Sequence, residues 1–160
     1  MRIGIGYDVH KLGTGKEVVL GGVSIPFDKG LIGHSDADVL LHAICDAMLG
    51  AAGEGDIGVH FPDNNPLYRG ISSIELLRKT KEIVGAKGYK VSNIDSVLVA
   101  ERPKVSPYRD TIIESIATTL DIKPDQVHVK ATTNEGLGSI GREEGIAAYA
   151  VCLLVFQNGE

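Results

Sequence analysis

Strand-like and helix-like patterns follow one another along the chain in an order that leaves few architectures open. An apolar strand comes first, then a short hairpin that turns at Gly21 and Gly22, then a helix that starts at Ser35 and ends near residues 50–53. The first strand covers residues 2–9. After the first helix come a helix at residues 72–84, a strand at 93–100, a helix at 108–120 and two strands at 126–133 and 145–156. This order predicts an α+β two-layer sandwich, a mixed and mostly four-stranded sheet covered by helices on one face. The last two strands are expected to pair antiparallel.

Charge and hydropathy exclude several classes of protein. The 160 residues, which we interpret as one domain (1–160), carry a net charge of −5 with scattered basic residues, so the broad positive surface of a nucleic-acid binder is missing. The longest apolar run, residues 146–156, is too short to cross a bilayer. No signal or transit pattern is found, and Cys45 and Cys152 are expected to be buried thiols, which together predict a cytoplasmic protein.

A candidate metal site combines the first strand with the first helix. Asp8 and His10 are two positions apart at the end of the strand, so their side chains point the same way. On the helix, Asp38, His42 and Asp46 recur at i, i+4 spacing, which is typical either of a solvated face or of a functional one. Together Asp8, His10 and His42 form a ligand set that suits zinc with its fourth position open, an arrangement typical of catalytic sites. Asp46 is interpreted either as an acceptor that orients His42 or as a solvated side chain.

Two other kinds of chemistry are excluded by their sequence context. Residues 136–141, GLGSIG, match a dinucleotide-binding fingerprint, but Gly145 interrupts the helix that must follow and the chain ends too early. These glycines instead predict an anion-binding turn, with Thr132, Thr133 and Arg142 as further donors. No G-x-S-x-G elbow and no activated cysteine is present, which is consistent with chemistry in which the substrate supplies its own nucleophile.

Four separated segments carry a resemblance to a known family. GYDVH, GHSDADVLLHAICDAMLGAAGEGDIGVHFPD, AERPKVSPY and VKATTNEGLGSIGREEGIA resemble the 2-C-methyl-D-erythritol 2,4-cyclodiphosphate synthases of the non-mevalonate isoprenoid pathway. The resemblance covers essentially the whole chain. It implies that the 2-phosphate of 4-diphosphocytidyl-2-C-methyl-D-erythritol 2-phosphate attacks the β-phosphorus of the same molecule and expels CMP. It also implies a homotrimer with active sites between subunits.

The resemblance assigns roles to individual residues. Asp8, His10 and His42 match zinc ligands, Glu135 matches a ligand of magnesium or manganese, and His34 and Thr133 match transition-state stabilisers. Residues that match the substrate-binding positions are Asp8, His10, His34, Ser35, Asp56, Ile57, Gly58, Phe61, Pro62, Asp63, Asn64, Asn65, Ala100, Glu101, Arg102, Pro103, Lys104, Val105, Ser106, Thr132, Thr133, Asn134, Glu135, Ser139 and Arg142.

The chain also departs from the family pattern, and two other functions stay open at this point. Ser139 stands where an aromatic residue is common, and Ile5 and Tyr7 replace other residues near the trimer axis, where some members hold an isoprenoid diphosphate with the help of Arg142. The competing hypotheses are a zinc-dependent phosphohydrolase and a non-catalytic module whose metal is structural. A bacterial cytoplasm is favoured over a plastid.

Overall fold

The computed structural model describes residues 1–62 and 64–157, and in this part of the chain a mixed sheet is covered on one face by helices. The five strands of the sheet follow the order β4-β1-β7-β5-β6, and a separate hairpin pairs β2 with β3. The strands are β1 (Arg2–Thr14), β2 (Glu17–Leu20), β3 (Val23–Pro26), β4 (Lys29–Ile32), β5 (Tyr89–Val99), β6 (Val127–Thr132) and β7 (Gly145–Phe156). The α-helices are α1 (Val39–Ala52), α2 (Ile57–His60), α3 (Ser73–Ala86), α4 (Arg109–Leu120) and α5 (Gly138–Gly141).

Two glycines allow helix α1 to approach strand β1 closely. A Cβ atom on Gly6 would lie 1.9 Å from the carbonyl oxygen of Ala43, and one on Gly4 would lie 2.0 Å from that of Ala47. Only a residue without a side chain fits such a contact between a strand and a helix backbone. The approach buries most of α1 in the core and sets the first strand directly beside the helix.

The two-layer architecture agrees with the prediction, but the pairing of the last two strands does not. Strand β6 pairs in parallel with β5, because α4 forms a crossover connection between them. Strand β7 instead pairs antiparallel with both β1 and β5 and becomes the central strand. The prediction of mostly four strands omitted the short β4, which pairs with the extended end of β1.

Among the described residues, no helix or strand covers the second face of the sheet. Odd-numbered residues of β1 and neighbouring residues of β7 point away from α1. Ile3 and Ile5 are 72% and 71% exposed, and the ring centroids of Tyr7 and Tyr149 lie 4.8 Å apart on the same face. We call this surface the exposed sheet face; its large apolar members are Ile3, Ile5, Tyr7, Val9, Tyr149 and Val151.

The interior of the chain holds both cysteines as free, buried thiols, as predicted. Burial raises the pKa of Cys45 to about 12 and that of Cys152 to about 12. Both side chains therefore act as small apolar groups. None of the helices within residues 1–62 and 64–157 has the length and apolar character needed to cross a membrane.

Candidate metal and substrate site

Strand β1 and helix α1 bring the predicted metal ligands together. Asp8 and His10 project from β1 towards α1, where His42 stands one residue before the close contact at Ala43. One ligand atom from each of Asp8, His10 and His42 lies within 4.8 Å of the others. The Oδ2 atom of Asp8 is 3.0 Å from Nδ1 of His42 and 3.7 Å from Nε2 of His10. We call these three residues the metal cluster.

The geometry of the metal cluster fits a zinc ion. The Nδ1 atom of His10 lies 3.0 Å from the carbonyl oxygen of Val9, so this nitrogen carries the proton and Nε2 presents a lone pair. That Nε2 atom is buried and has no hydrogen-bond partner among the described residues. Ligand atoms around tetrahedral zinc are about 3.4 Å apart, given bonds of about 2.0 to 2.1 Å. The two separations from Asp8, 3.0 and 3.7 Å, bracket this value, and the ligand atoms of the two histidines lie within 4.8 Å of each other.

His42 is held from both sides of its ring. Its Nε2 atom is 3.0 Å from the hydroxyl oxygens of both Ser35 and Ser73. Burial lowers the pKa of His42, but the hydrogen bond with Asp8 and the negative charges around the ring outweigh it and raise the pKa. Ser35 was predicted to cap α1; it contacts His42 instead.

The true N-cap of α1 is Asp38, and it is fully buried. Its carboxylate accepts hydrogen bonds from the backbone amides of Leu41 at 3.1 Å, Gly21 at 3.0 Å and Gly22 at 2.7 Å. Burial raises the pKa of Asp38 to about 6, against these three hydrogen bonds, which lower it. The interpretation of Asp38 as part of a solvated stripe is therefore wrong: this side chain joins the hairpin turn to the start of α1.

Asp46 orients a loop rather than a metal ligand. Its Oδ1 atom accepts a hydrogen bond of 2.8 Å from the backbone amide of Ile57, the first residue of α2. Burial raises the pKa of Asp46, and the hydrogen bond from Ile57 opposes the shift. Asp56 caps the same short helix through a 3.0 Å hydrogen bond from the amide of Val59. Both carboxylates thus fix the backbone that runs beside the metal cluster.

A cavity of about 580 Å³ opens onto the metal cluster. Its walls combine imidazole and hydroxyl groups with apolar side chains, a composition suited to a small polar ligand that carries apolar carbon atoms. Predicted residues that line it are Asp8, His10, His34, Ser35, His42, Ile57, Gly58 and Phe61, and the others are Ile32, Gly33, Tyr68, Ile71 and Leu76. Pro62, Asn64 and Asn65 follow in the same loop, whereas Asp63 lies outside the described residues.

The remaining predicted residues form a second group at the ends of strands β5 and β6 and in the segments that follow them. The amide of Ala100 donates a 3.0 Å hydrogen bond to the carbonyl of Thr132, which joins the segment 100–106 to the segment 132–135. Glu101 accepts hydrogen bonds from the amides of Asn134 at 2.9 Å and Gly136 at 3.1 Å. Thr133 donates to the carboxylate of Glu135 at 3.1 Å, and both side chains are exposed.

The other predicted residues of the second group lie around this hydrogen-bonded pair of segments. Arg102 lies 3.8 Å from both Asp28 and Glu143, and Val105 and Ser106 line a cavity of about 280 Å³ beside β6. Pro103 and Lys104 lie in the same loop. Ser139 lies in α5, and Arg142 donates a 2.7 Å hydrogen bond to Glu144.

The metal cluster and the second group lie at the same end of the sheet, but within one chain they are too far apart to form a single site. Val9 stands opposite Ala147, Ala147 opposite Val99, and Val99 opposite Thr132. Neighbouring strands are about 4.8 Å apart, so about 14 Å of sheet separates β1 from β6 at this level. His34 therefore belongs to the group around the metal cluster, and Thr133 belongs to the other.

Several residues at the site had no recognisable sequence signal. Ser73 contacts His42 from the start of α3, although the two are 31 positions apart in the chain. Asp36 accepts a 3.0 Å hydrogen bond from the amide of Ser73 and a second one from its hydroxyl. Both depend on how α3 packs beside α1, which periodicity does not specify.

The chain is similar to known proteins over almost its whole length. A family model described as the YgbB family matches residues 1–155. A relative from Desulforamulus reducens, named 2-C-methyl-D-erythritol 2,4-cyclodiphosphate synthase, is 60% identical over 154 residues, which cover 96% of this chain and 98% of that protein. The solved structure of IspF from Plasmodium falciparum, a CDP complex, has a TM-score of 0.86 and 39% identity, with 98% of this chain and 97% of that chain covered. The bifunctional IspDF from Campylobacter jejuni has a TM-score of 0.93 and 41% identity over 97% of this chain, which spans 42% of that longer protein.

Proposed function

The chain belongs to the YgbB family, the family of the 2-C-methyl-D-erythritol 2,4-cyclodiphosphate synthases, and from this premise we propose how its residues carry out the reaction. The protein is an enzyme of isoprenoid precursor synthesis. It cyclises 4-diphosphocytidyl-2-C-methyl-D-erythritol 2-phosphate to 2-C-methyl-D-erythritol 2,4-cyclodiphosphate and releases CMP. We place the reaction in a bacterial cytoplasm and propose that residues 1–160 act as one catalytic domain.

The observation that carries the proposed mechanism is the metal cluster at the mouth of the cavity. Asp8, His10 and His42 hold a zinc ion, as the buried and unpartnered Nε2 atom of His10 supports. When bound there, zinc supplies positive charge that offsets the repulsion between the attacking phosphate and the diphosphate. A magnesium or manganese ion held by Glu135 supplies a second positive charge beside the diphosphate.

The cavity around the metal cluster takes the methylerythritol part of the substrate. Carboxylate, side-chain amide and backbone groups from residues 56–58 and 61–65 bind the hydroxyl groups of the sugar alcohol, while Phe61 and Leu76, which line the cavity, contact its carbon atoms. Asp46 and Asp56 hold this loop in place through the amides of Ile57 and Val59. A fixed loop aligns the 2-phosphate with the β-phosphorus, and such alignment removes much of the entropic cost of the attack.

The second group of residues takes the cytidine and the diphosphate. Backbone groups of residues 100–106 bind the base, and Lys104, Thr132 and Arg142 provide donors for phosphate oxygens. His34 and Thr133 then donate hydrogen bonds to the oxygens on which charge develops as the bond from the β-phosphorus to CMP breaks. Glu101 keeps the turn around Thr133 in shape through the amides of Asn134 and Gly136.

Because about 14 Å of sheet separates the two groups, we propose that one subunit supplies the metal cluster and its neighbour supplies the cytidine pocket. The exposed sheet face supports a homotrimer, since a contiguous apolar surface of this kind is typical of a subunit interface. Packing three such faces around an axis covers them and brings the second group of one chain next to the metal cluster of the next.

A product assay tests this proposal. Purified protein is incubated with the 2-phosphorylated nucleotide substrate, zinc and magnesium, and the products are followed by phosphorus NMR. We expect CMP and the cyclic diphosphate in equal amounts, no detectable product from His10→Ala, and unchanged turnover from His128→Ala, a control histidine exposed on β6. Inorganic phosphate without CMP would identify a phosphohydrolase, and equal turnover by His10→Ala would refute the role of the metal cluster.

A further inference from the structure

We propose that Ser73 and Asp36 are positioning residues that fix the tautomer of His42, so that its Nδ1 atom always presents a lone pair to the metal. This inference rests on the proposed metal site. Neither residue lines the cavity, and neither belongs to the ligand set predicted from the sequence. Both act through hydrogen bonds on the side of the ring that faces away from Asp8.

A count of protons leads to this assignment. A serine hydroxyl has one proton to donate, and an ionised carboxylate has none. The Ser73 hydroxyl donates its proton to the Oδ1 atom of Asp36. At the Nε2 atom of His42, 3.0 Å away, the Ser73 oxygen is therefore an acceptor, and Nε2 must carry the ring proton.

Ser35 agrees with the same tautomer. Its oxygen, also 3.0 Å from Nε2, already accepts a 3.1 Å hydrogen bond from the amide of Ala37. If the Ser35 hydroxyl donated to Nε2, the lone pair of Nε2 would face the Ser73 oxygen without a proton between them. With the proton on Nε2 both contacts are satisfied, and the hydroxyl proton of Ser35 is free to point into the cavity that it lines.

The consequence appears on the other side of the ring. With Nε2 protonated, the space between Nδ1 of His42 and the Oδ2 atom of Asp8, which are 3.0 Å apart, holds either a second ring proton, as in the hydrogen bond with Asp8 that raises the pKa of His42, or the metal. Two lone pairs at this distance repel each other unless a cation lies between them. Carboxylate partners of metal-bound imidazoles orient the ring in this way in many metal sites, and here a serine relays the effect.

Asp36 also fixes the position of Ser73 through its backbone. Its Oδ2 atom accepts a 3.0 Å hydrogen bond from the amide of Ser73 at the start of α3, and its own amide donates a 3.3 Å hydrogen bond to Ile71. Ser73 is fully buried, so water does not compete for its hydroxyl. The start of α3 is thus tied to the segment that carries His34 and Ser35.

Zinc affinity, measured by competition with a chromogenic chelator, tests the inference without an activity assay. We expect Ser73→Ala to bind zinc about 10- to 100-fold more weakly than the unmodified chain. The matched control is Ser96→Ala, because Ser96 is also buried but donates to the carbonyl of His128, away from the site. Its zinc affinity should be unchanged.

Asp36→Asn provides a second and sharper variant. The amide has nearly the shape of the carboxylate, but its Nδ2 group donates, so the Ser73 hydroxyl is free to turn its proton towards His42. This reverses the preferred tautomer, and zinc affinity should fall at least as much as in Ser73→Ala. If Asp36 served packing alone, Asp36→Asn should leave the zinc affinity unchanged, since Asn fills the same space.

The outcomes separate this inference from the proposed metal site. If the unmodified chain binds no zinc, both proposals fail. If it binds one zinc ion while Ser73→Ala and Asp36→Asn bind equally well, only the inference about the tautomer fails. Nitrogen NMR of the zinc-free protein, at a pH high enough for His42 to be neutral, gives a direct measurement, since the proton of His42 should be on Nε2 in the unmodified chain and should move to Nδ1 in Asp36→Asn.

Discussion

Replacing Gly6 with Ala should push β1 and α1 apart and thereby disturb the metal cluster, whose ligands lie on these two elements. The new Cβ atom would lie 1.9 Å from the carbonyl oxygen of Ala43 and 2.8 Å from the amide nitrogen of Ala47. Both neighbours are backbone atoms of a buried helix, so no side-chain rotation relieves the contact. An ordinary contact between carbon and oxygen is about 3.3 Å, so the strand and the helix must move apart by about 1.4 Å at this point.

This displacement has two measurable consequences. Overpacking of a core costs about 1 to 3 kcal/mol, and a clash between backbones belongs at the upper end, which lowers Tm by about 6 to 12 °C in a chain of this size. The ligand atoms of His42 and Asp8 move apart with the helix, because His42 directly precedes Ala43. Functional sites tolerate displacements of about 0.5 Å, so zinc affinity should fall more than stability alone explains.

Two further glycine substitutions separate these effects. Gly4→Ala meets the carbonyl of Ala47 at 2.0 Å, one helical turn further from His42, and should cost similar stability but less zinc affinity. Gly50→Ala is the control within α1 itself, because no atom lies within 4 Å of its new Cβ. It should raise stability by about 0.5 to 1 kcal/mol through the gain in helix propensity.

Thermal unfolding and zinc competition on the same four proteins provide the measurements. The reasoning is refuted if Gly6→Ala keeps the Tm and the zinc affinity of the unmodified chain. It is also refuted if Gly50→Ala is destabilised as much as Gly6→Ala, since glycine flexibility and not close contact would then explain the result.

Three other predictions concern the cap, the thiols and the exposed sheet face. Asp38→Ala should lower the free energy of unfolding in urea by about 2 to 5 kcal/mol, because a helix cap is lost and a buried amide is left unpaired. Cys45 and Cys152, whose pKa values burial raises to about 12, should not react with a thiol reagent at pH 8 until the chain is unfolded, when both should react. Ile5→Glu, in the proposed trimer interface, should give a folded, inactive monomer in analytical ultracentrifugation, whereas Thr118→Glu on the exposed side of α4 should keep the oligomeric state and the activity of the unmodified chain. A trimer of Ile5→Glu, or rapid labelling of the native thiols, would contradict the corresponding argument.

Local patterns predicted the elements better than their pairing. The alternation of β1 correctly placed Asp8 and His10 on one face, and helical spacing placed His42 on the turn of α1 that meets them. The position of β7 between β1 and β5 depends on contacts between segments more than 40 residues apart, which no local pattern encodes. The helix between β5 and β6 was a usable signal for their parallel pairing.

The candidate site shows the same division. Residue type and spacing suggested that Asp8, His10 and His42 meet, since the first strand ends with two of them and one turn of the next helix carries the third. The resemblance to the family indicated the same three residues, and the structure brings them together. The partners of these ligands were not predictable, since Ser73 and Asp36 meet His42 only through the packing of α3 beside α1. Ser35 was misassigned as a cap because Asp38, three positions later, fits the same rule and is the residue that packing buries.

Asp38, His42 and Asp46 follow one another along a single edge of α1, and their side chains have three different partners. Asp38 binds the hairpin turn, His42 faces Asp8 in the metal cluster, and Asp46 anchors the loop beside the cavity. An α-helix turns by about 100° per residue. Inserting one residue before Asp38 and deleting one after Asp46 would therefore turn the side chains of Asp38, His42 and Asp46 away from their partners at the same time. Pairs of substitutions along this edge should therefore be non-additive, although the side chains do not touch one another. Engineers who wish to alter the sugar-binding loop or the metal preference must therefore keep the helical phase of α1 and compensate on both neighbours together.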